Sequence, residues 1–177
     1  MRFEKLEQNI IDMIKEEQAK LGYRKESIRL YYPLSSLLHL TGENLGEQEM
    51  LALLSEFGEE TKEHLGGVTV TAKKDRFCFL IPEEGVVYVK EHTSPNEFIH
   101  DLVNLVGTHG CTMDEIKALF EKQPWPVTVE PVNNEEFDIL IRFGEGADDP
   151  YYYCFKDEGC HIIYHRFLPE DYADFDF

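Results

Sequence analysis

The sequence predicts an α+β fold in which helices alternate with two mainly antiparallel β-meanders. Three observations carry this. Apolar residues recur at helical spacing in the first 21 positions, short β-branched and aromatic runs cluster at 68–90 and 127–167, and helix start signals fall between the clusters. The chain has 177 residues and a mass of 20.7 kDa, enough for one domain or two small lobes. The expected lobes are 1–92, helices plus a three-stranded meander, and 93–177, two helices plus a four-stranded meander with an acidic aromatic tail. Hydrophobic residues make up 42% and charged residues 29%, an ordinary soluble composition that excludes disordered and collagen-like chains. No run approaches the roughly 18 apolar residues of a membrane-spanning helix. The opening MRFEKLEQNI mixes acids with bases and has no apolar core, so it does not read as a signal peptide.

Residues 3–21 read as a helix with Phe3, Leu6, Ile10, Met13, Ile14 and Leu21 on one face, stopped by Gly22. An extended stretch over 27–32 leads to Pro33, which opens a short helix, LSSLLHL. Asn44, with Glu47 three residues on, signals the next helix. Met50, Leu53, Leu54 and Phe57 form its inner face, and Gly58 ends or kinks it. Strands are expected at 68–72, 76–81 and 86–90, with FCFLI apolar on both faces and therefore central. Ser94-Pro95-Asn96-Glu97 reads as N-cap, N1 proline and capping-box acid. Thr112 and Glu115 form a second capping box over 113–122, and Pro124 and Pro126 end that helix. Strands follow at 127–132, 137–143, 151–155 and 161–167. In 137–143 the face bearing Asp138, Leu140 and Arg142 is expected to be mostly wet.

A weak echo links the halves: EMLALL (49–54) resembles EIKALF (115–120), and each precedes a strand containing VTV. Each half is compatible with a winged-helix-like repeat, a helix-turn-helix followed by a β-wing. The second helix of that motif reads DNA with bases, and residues 49–57 contain none.

Charge narrows the partner class. There are 17 Lys and Arg against 35 Asp and Glu, a formal charge of −18. Residues 2–30 hold seven bases and six acids, so the remainder is far more acidic. Phosphate backbones bind through counterion release by Lys and Arg, and anionic membranes attract the same residues. Nucleic acid and membrane partners are therefore not expected, which leaves a basic protein, a cation, or no partner at all. The four cysteines, Cys78, Cys111, Cys154 and Cys160, fit reduced thiols in a cytoplasm. Cys154 and Cys160 would face each other only across a five-residue loop; a tighter turn would set Cys160 opposite Asp157.

Several residue sets carry side chains capable of chemistry. Glu49, Glu56, Glu60 and Glu63 share one side if 49–63 is a single helix, but one stripe supplies too few converging oxygens for a hard cation. His161 and His165 lie four apart on one strand, and His109 stands near Cys111, yet no CxxC, HExxH or HxH pattern completes a zinc set. The segment 144–150 is glycine-rich but acidic and joins two strands, so it reads as a hairpin loop. Ser35 and His39 sit one helical turn apart without a third orienting group. No catalytic, cofactor-binding or metal residue is expected from these sets, and no cofactor is implied. The C-terminal segment PEDYADFDF alternates acids with aromatics and resembles the acidic tails ending in Phe that single-stranded-DNA-binding proteins offer to partners. Tyr172, Phe175 and Phe177 are the candidate partner contacts, set against a role as a lid on the sheet.

The segments IRLYYPLSSL (28–37) and FEKLEQNIIDMIKEEQAKLGY (3–23) resemble an uncharacterised family from Gram-positive anaerobic bacteria, catalogued as a domain of unknown function. The resemblance spans the chain and implies a bacterial cytoplasmic α+β protein, with no catalytic residue to carry over. The leading expectation is a non-enzymatic protein-binding module with an acidic surface. The alternatives are a metal-dependent enzyme with a His and carboxylate site between the lobes, and an acidic decoy or immunity-type protein. The sequence gives no oligomeric state.

Overall fold

The computed structural model describes residues 2–174, which form eight helices and two antiparallel sheets. The chain divides into two compact units, Met1–Glu97 and Phe98–Phe177. No helix among the described residues is long and apolar enough to cross a membrane.

In the first unit, helix α1 (Glu4–Leu21) buries Leu6, Ile10 and Ile14, positions spaced to share one helical face. Strand β1 (Ile28–Pro33) follows, then α2 (Leu34–Thr41), α3 (Glu47–Glu60), α4 (Lys62–Leu65), β2 (Thr69–Lys73), β3 (Arg76–Ile81) and α5 (Glu83–His92). The sheet order is β1-β3-β2. Helix, strand, two helices and two strands in this arrangement follow the winged-helix order, with α4 inserted and α5 appended. The central strand is β3, as its apolar run requires. Phe77, Phe79 and Ile81 are fully buried on its inner face, while Cys78 and Leu80 face outward and are half-buried.

Edge-to-face ring contacts tie this core together. Phe3 meets Phe57 at 5.4 Å, Phe57 meets Phe79 at 6.3 Å, and Phe79 meets Tyr32 at 5.1 Å between centroids. Such pairs contribute about 0.5–1.5 kcal/mol beyond their buried area. They join the segment before α1 to α3, β3 and β1. The Tyr32 hydroxyl donates to Asn9 Oδ1 at 2.7 Å, which satisfies two polar groups buried between α1 and β1.

Several expected boundaries move. Residues 86–90 are not a strand but the middle of α5. Their β-branched run favours a strand, but Gly85, Val86 and Val89 are buried together, a three-residue spacing that only a helix provides. The third strand is instead β1, which pairs with β3 from Ile28↔Ile81 to Pro33↔Arg76. Pro33 therefore closes β1 and stands as the N-cap of α2 rather than opening it. Helix α3 is capped at Gly46, not Asn44: the Gly46 N–H donates to Glu49 Oε2 at 3.0 Å. Gly58 does not end α3, which runs on to Glu60. It is buried because the Val68 carbonyl passes where a side chain would stand, 2.6 Å from an ideal Cβ.

The second unit runs α6 (Glu97–Val106), whose first residue falls at the unit boundary, α7 (Met113–Glu121), β4 (Val127–Pro131), β5 (Ile139–Phe143), β6 (Tyr152–Asp157), β7 (Ile162–Phe167) and α8 (Pro169–Asp174). Helix α6 begins at Glu97, so Ser94 and Pro95 lie outside it rather than at its N-cap and N1. The Thr112 box forms as expected. The Glu115 N–H donates to Thr112 Oγ1 at 3.3 Å, and the Thr112 N–H donates to Glu115 Oε2 at 2.8 Å. The sheet is a simple meander, β4-β5-β6-β7. Two helices followed by four sequential strands do not repeat the winged-helix order, so the sequence echo is not a structural repeat of that kind.

Phe120 is the hub of one face of this sheet, with Phe98, Phe143, Tyr153 and Phe155 at 4.9, 5.2, 5.2 and 6.0 Å. The opposite face was expected to be wet. It is covered over Leu140, which is 2% exposed in a cluster with Phe137, Cys154 and Phe167.

Gly85 offers a test of this packing. Alanine normally stabilises a helix over glycine by about 0.5–1 kcal/mol, but a Cβ here would run into the Leu65 carbonyl. Gly85→Ala is expected to destabilise by about 1–3 kcal/mol, read as a lower urea midpoint. A midpoint that rises contradicts the placement of α5 against Leu65.

Candidate functional site

Helix α3 is the third helix of the winged-helix order, the second of its helix-turn-helix. Its inner face, Met50, Leu53, Leu54 and Phe57, is buried, so helical spacing turns Glu47, Glu49, Glu56, Glu59 and Glu60 to solvent. It carries no Lys or Arg. The stripe that a continuous helix would have extended to Glu63 is broken at Thr61. That residue leaves helical geometry, and its hydroxyl donates to the Phe57 carbonyl at 2.8 Å. Glu63 thus belongs to α4.

Some of these acids are engaged locally. Arg2 forks between Glu56 at 3.0 Å and Glu43 at 3.3 Å, and Lys62 approaches Glu59 at 3.9 Å. These pairs are exposed and contribute little to stability. Glu47, Glu60 and Glu63 have no ion pair among the described residues. The same unit holds a pair with no signal in the sequence. His64 Nδ1 sits 2.8 Å from Glu7 Oε1, and its ring stacks on Tyr88 at 5.1 Å, which in turn stacks on His92 at 4.4 Å. Only the i,i+4 spacing of Tyr88 and His92 was visible in sequence, and reading 86–90 as a strand hid it.

The second unit separates the histidines and cysteines. His161 precedes β7 and lies in the turn with Cys160, whose Sγ is 3.2 Å from its Nδ1. His165 is on β7 opposite Cys154, and its ring packs on Phe167 at 4.1 Å. The β6–β7 turn sets Asp157 opposite Ile162, which leaves Cys160 in the loop and unpaired with either Cys154 or Asp157. All four cysteines are free thiols. Burial pushes the Cys154 thiol up to about 12, and burial with nearby Glu115 and Asp157 raises Cys111. Both are therefore poor nucleophiles. Among the described residues no group of three His, Cys, Asp or Glu could hold a metal ion. Ser35 and His39 both fall on α2, the first exposed and the second half-buried. The acidic glycine segment 144–150 joins β5 to β6 as a loop.

A buried polar cluster was not visible in sequence either. The Tyr153 hydroxyl donates to Asp149 Oδ2 at 2.5 Å, and burial holds that phenol well above its ordinary value. Arg166 lies on the same sheet face and stacks its guanidinium on Tyr151 at 4.3 Å. Strand alternation places Tyr153 and Arg166 opposite each other, but a loop acid reaching back to them leaves no periodic trace.

Of the three candidate partner contacts, Tyr172 lies on α8. Its ring meets Tyr152 at 5.6 Å and Phe167 at 5.9 Å, and it packs on the cluster around Leu140 and Cys154. Phe175 and Phe177 lie outside the described residues.

Fold and site together define an α+β chain with a three-stranded first unit, an acidic helix α3 and a four-stranded second unit. The chain belongs to the family described as "Domain of unknown function, E. rectale Gene description (DUF3877)", whose model matches residues 3–175; the description refers to a Gram-positive anaerobe. No curated protein and no solved structure matches the chain.

Tyr172 covers apolar surface of its own sheet, so Tyr172→Ala is expected to cost about 2 kcal/mol. That is less than the 3–5 kcal/mol of a fully buried ring because this one is only partly buried. Ala173→Ser on the exposed side of α8 should stay within about 0.5 kcal/mol. Denaturant unfolding of both variants checks this; equal midpoints would show that the ring carries no packing.

Proposed function

We propose that this chain is a cytoplasmic, non-enzymatic protein-binding module that meets a basic partner through its acidic surface. The observation that carries the reading is α3: the helix that reads phosphate-bearing DNA in the winged-helix order here presents five carboxylates and no base. Like charge on that helix opposes the counterion-release term that drives nucleic-acid binding. The same helix complements Lys- and Arg-rich protein surface, where charge sets association rate and partner choice. Residues 98–177 add 17 acids against five bases, so the long-range field favours a cationic partner from either unit. The dispersal of the histidines and the raised, buried thiols support binding rather than catalysis.

The test uses fluorescence anisotropy with a labelled arginine-rich peptide and, separately, a labelled DNA duplex. The expected result is saturable binding of the peptide and none of the duplex. Joint substitution Glu47→Gln, Glu56→Gln and Glu60→Gln should weaken peptide binding at least about tenfold. Glu135→Gln, Glu136→Gln and Glu145→Gln remove the same charge from the second unit and should change it far less. Equal loss from both triple variants reduces the effect to net charge and overturns the reading, as does tighter binding of the duplex.

A further inference from the structure

The outer face of the β1-β3-β2 sheet has the opposite character to the rest of the molecule. Pairing registers place Arg29, Leu80 and Thr69 in one cross-strand row, Tyr31, Cys78 and Thr71 in the next, and Pro33, Arg76 and Lys73 in the third. Alternation sends all nine side chains outward, away from the buried Leu30, Tyr32, Phe77 and Phe79. Lys74 and Asp75 form the turn beside the third row. The face therefore holds four cations and one acid in a chain of charge −18.

None of Arg29, Lys73, Lys74 and Arg76 is in an ion pair among the described residues, whereas Arg2, Lys20, Arg24, Lys25, Arg142 and Lys156 each have a carboxylate within 4.0 Å. With 35 acids available, four unpaired cations around one sheet face is a local excess that the chain does not neutralise. At the Arg76–Lys73–Lys74 end lies a depression of about 350 Å³ lined by Tyr31, Thr71, Lys73, Lys74, Asp75, Arg76 and Cys78. Tyr31 is 60% exposed, the most exposed aromatic of this unit.

We infer that this face docks a short extended acidic segment of a partner protein. The spacing sets its pattern. Arg29 stands opposite Leu80, four residues along from Arg76, which at about 3.3 Å per residue is about 13 Å. An extended segment presents residues i, i+2 and i+4 on one side over that same distance. Carboxylates at i and i+4 meet the Arg29 end and the Arg76–Lys73–Lys74 end. An aromatic or apolar side chain at i+2 lies on Tyr31 and Cys78. A nucleic-acid strand is the poorer occupant, because beyond a screening length of about 8 Å it runs off four cations onto acidic surface. A short acidic segment stays within the patch.

The test is anisotropy of a fluorescein-labelled peptide of sequence Gly-Glu-Thr-Phe-Thr-Glu-Gly against the full chain, with a labelled ten-nucleotide oligothymidine in parallel. Saturable peptide binding is expected. It should weaken at least about tenfold for Arg76→Glu and for Arg29→Glu, and about threefold or more for the milder Tyr31→Ser, which retains the charge. Moving both Glu to adjacent positions should abolish it. The α3 triple variant should bind this peptide as the parent does, so failure here is separable from failure of the acidic-surface reading. The inference is overturned by absence of saturation at about 1 mM peptide, by equal binding in Arg76→Glu, by tighter binding of the oligothymidine, or by an anisotropy change that tracks self-association of the chain.

Discussion

The first unit depends on one strand that is paired on both sides and buried on one. β3 takes every cross-strand partner in its sheet, and its alternation sends Phe77, Phe79 and Ile81 into the core and Arg76, Cys78 and Leu80 out. The inward set anchors the ring chain from Tyr32 through Phe79 and Phe57 to Phe3, which holds α1 and α3 in place. The outward set fixes where the cations of β1 and β2 stand. A one-residue slip of β3 would exchange the two sets, so packing and surface chemistry are specified by the same register. The acidic helix and the basic sheet face are then two surfaces of one scaffold.

The second unit is stabilised by a sheet covered on both sides. Phe120 organises one face with four other rings, while Tyr172 of α8 helps cover the other. Covering Leu140 and Cys154 explains why an apolar residue and a thiol occupy a strand face otherwise lined by Asp138 and Arg142. It also explains the inertness of that thiol, since removal from water penalises the thiolate. The Tyr153–Asp149 bond is a satisfied polar contact within this packing, and its geometry leaves Tyr153 as a donor at ordinary pH.

Much of the fold was legible because its signals are local. The apolar stripe of α1, the Thr112 box of α7 and the four-strand meander of the second unit each follow from spacing within one segment. The errors arose where tertiary contacts outweighed propensity. Val86, Val87 and Val89 favour a strand, yet the place beside β3 is taken by β1, and Gly85 lets α5 approach Leu65 instead. The cap of α3 shifted to Gly46 because Glu49 was the acid that could reach back. The site was less legible than the fold. Acid excess was plain in composition, but the cationic sheet face required knowing that Arg29, Arg76 and Lys73 come to one side, which only the β1-β3-β2 order reveals. The Glu7–His64 and Asp149–Tyr153 contacts join residues through folding rather than through any periodic pattern.

The central place of β3 in its sheet is tested most directly by native-state amide hydrogen exchange. A strand paired on both sides has every amide bonded, whereas an edge strand bonds alternate amides. The account predicts continuous protection from residue 77 to 81, with alternating protection along 28–32 and 69–73. Alternating protection along 77–81, or continuous protection along 28–32, would contradict it.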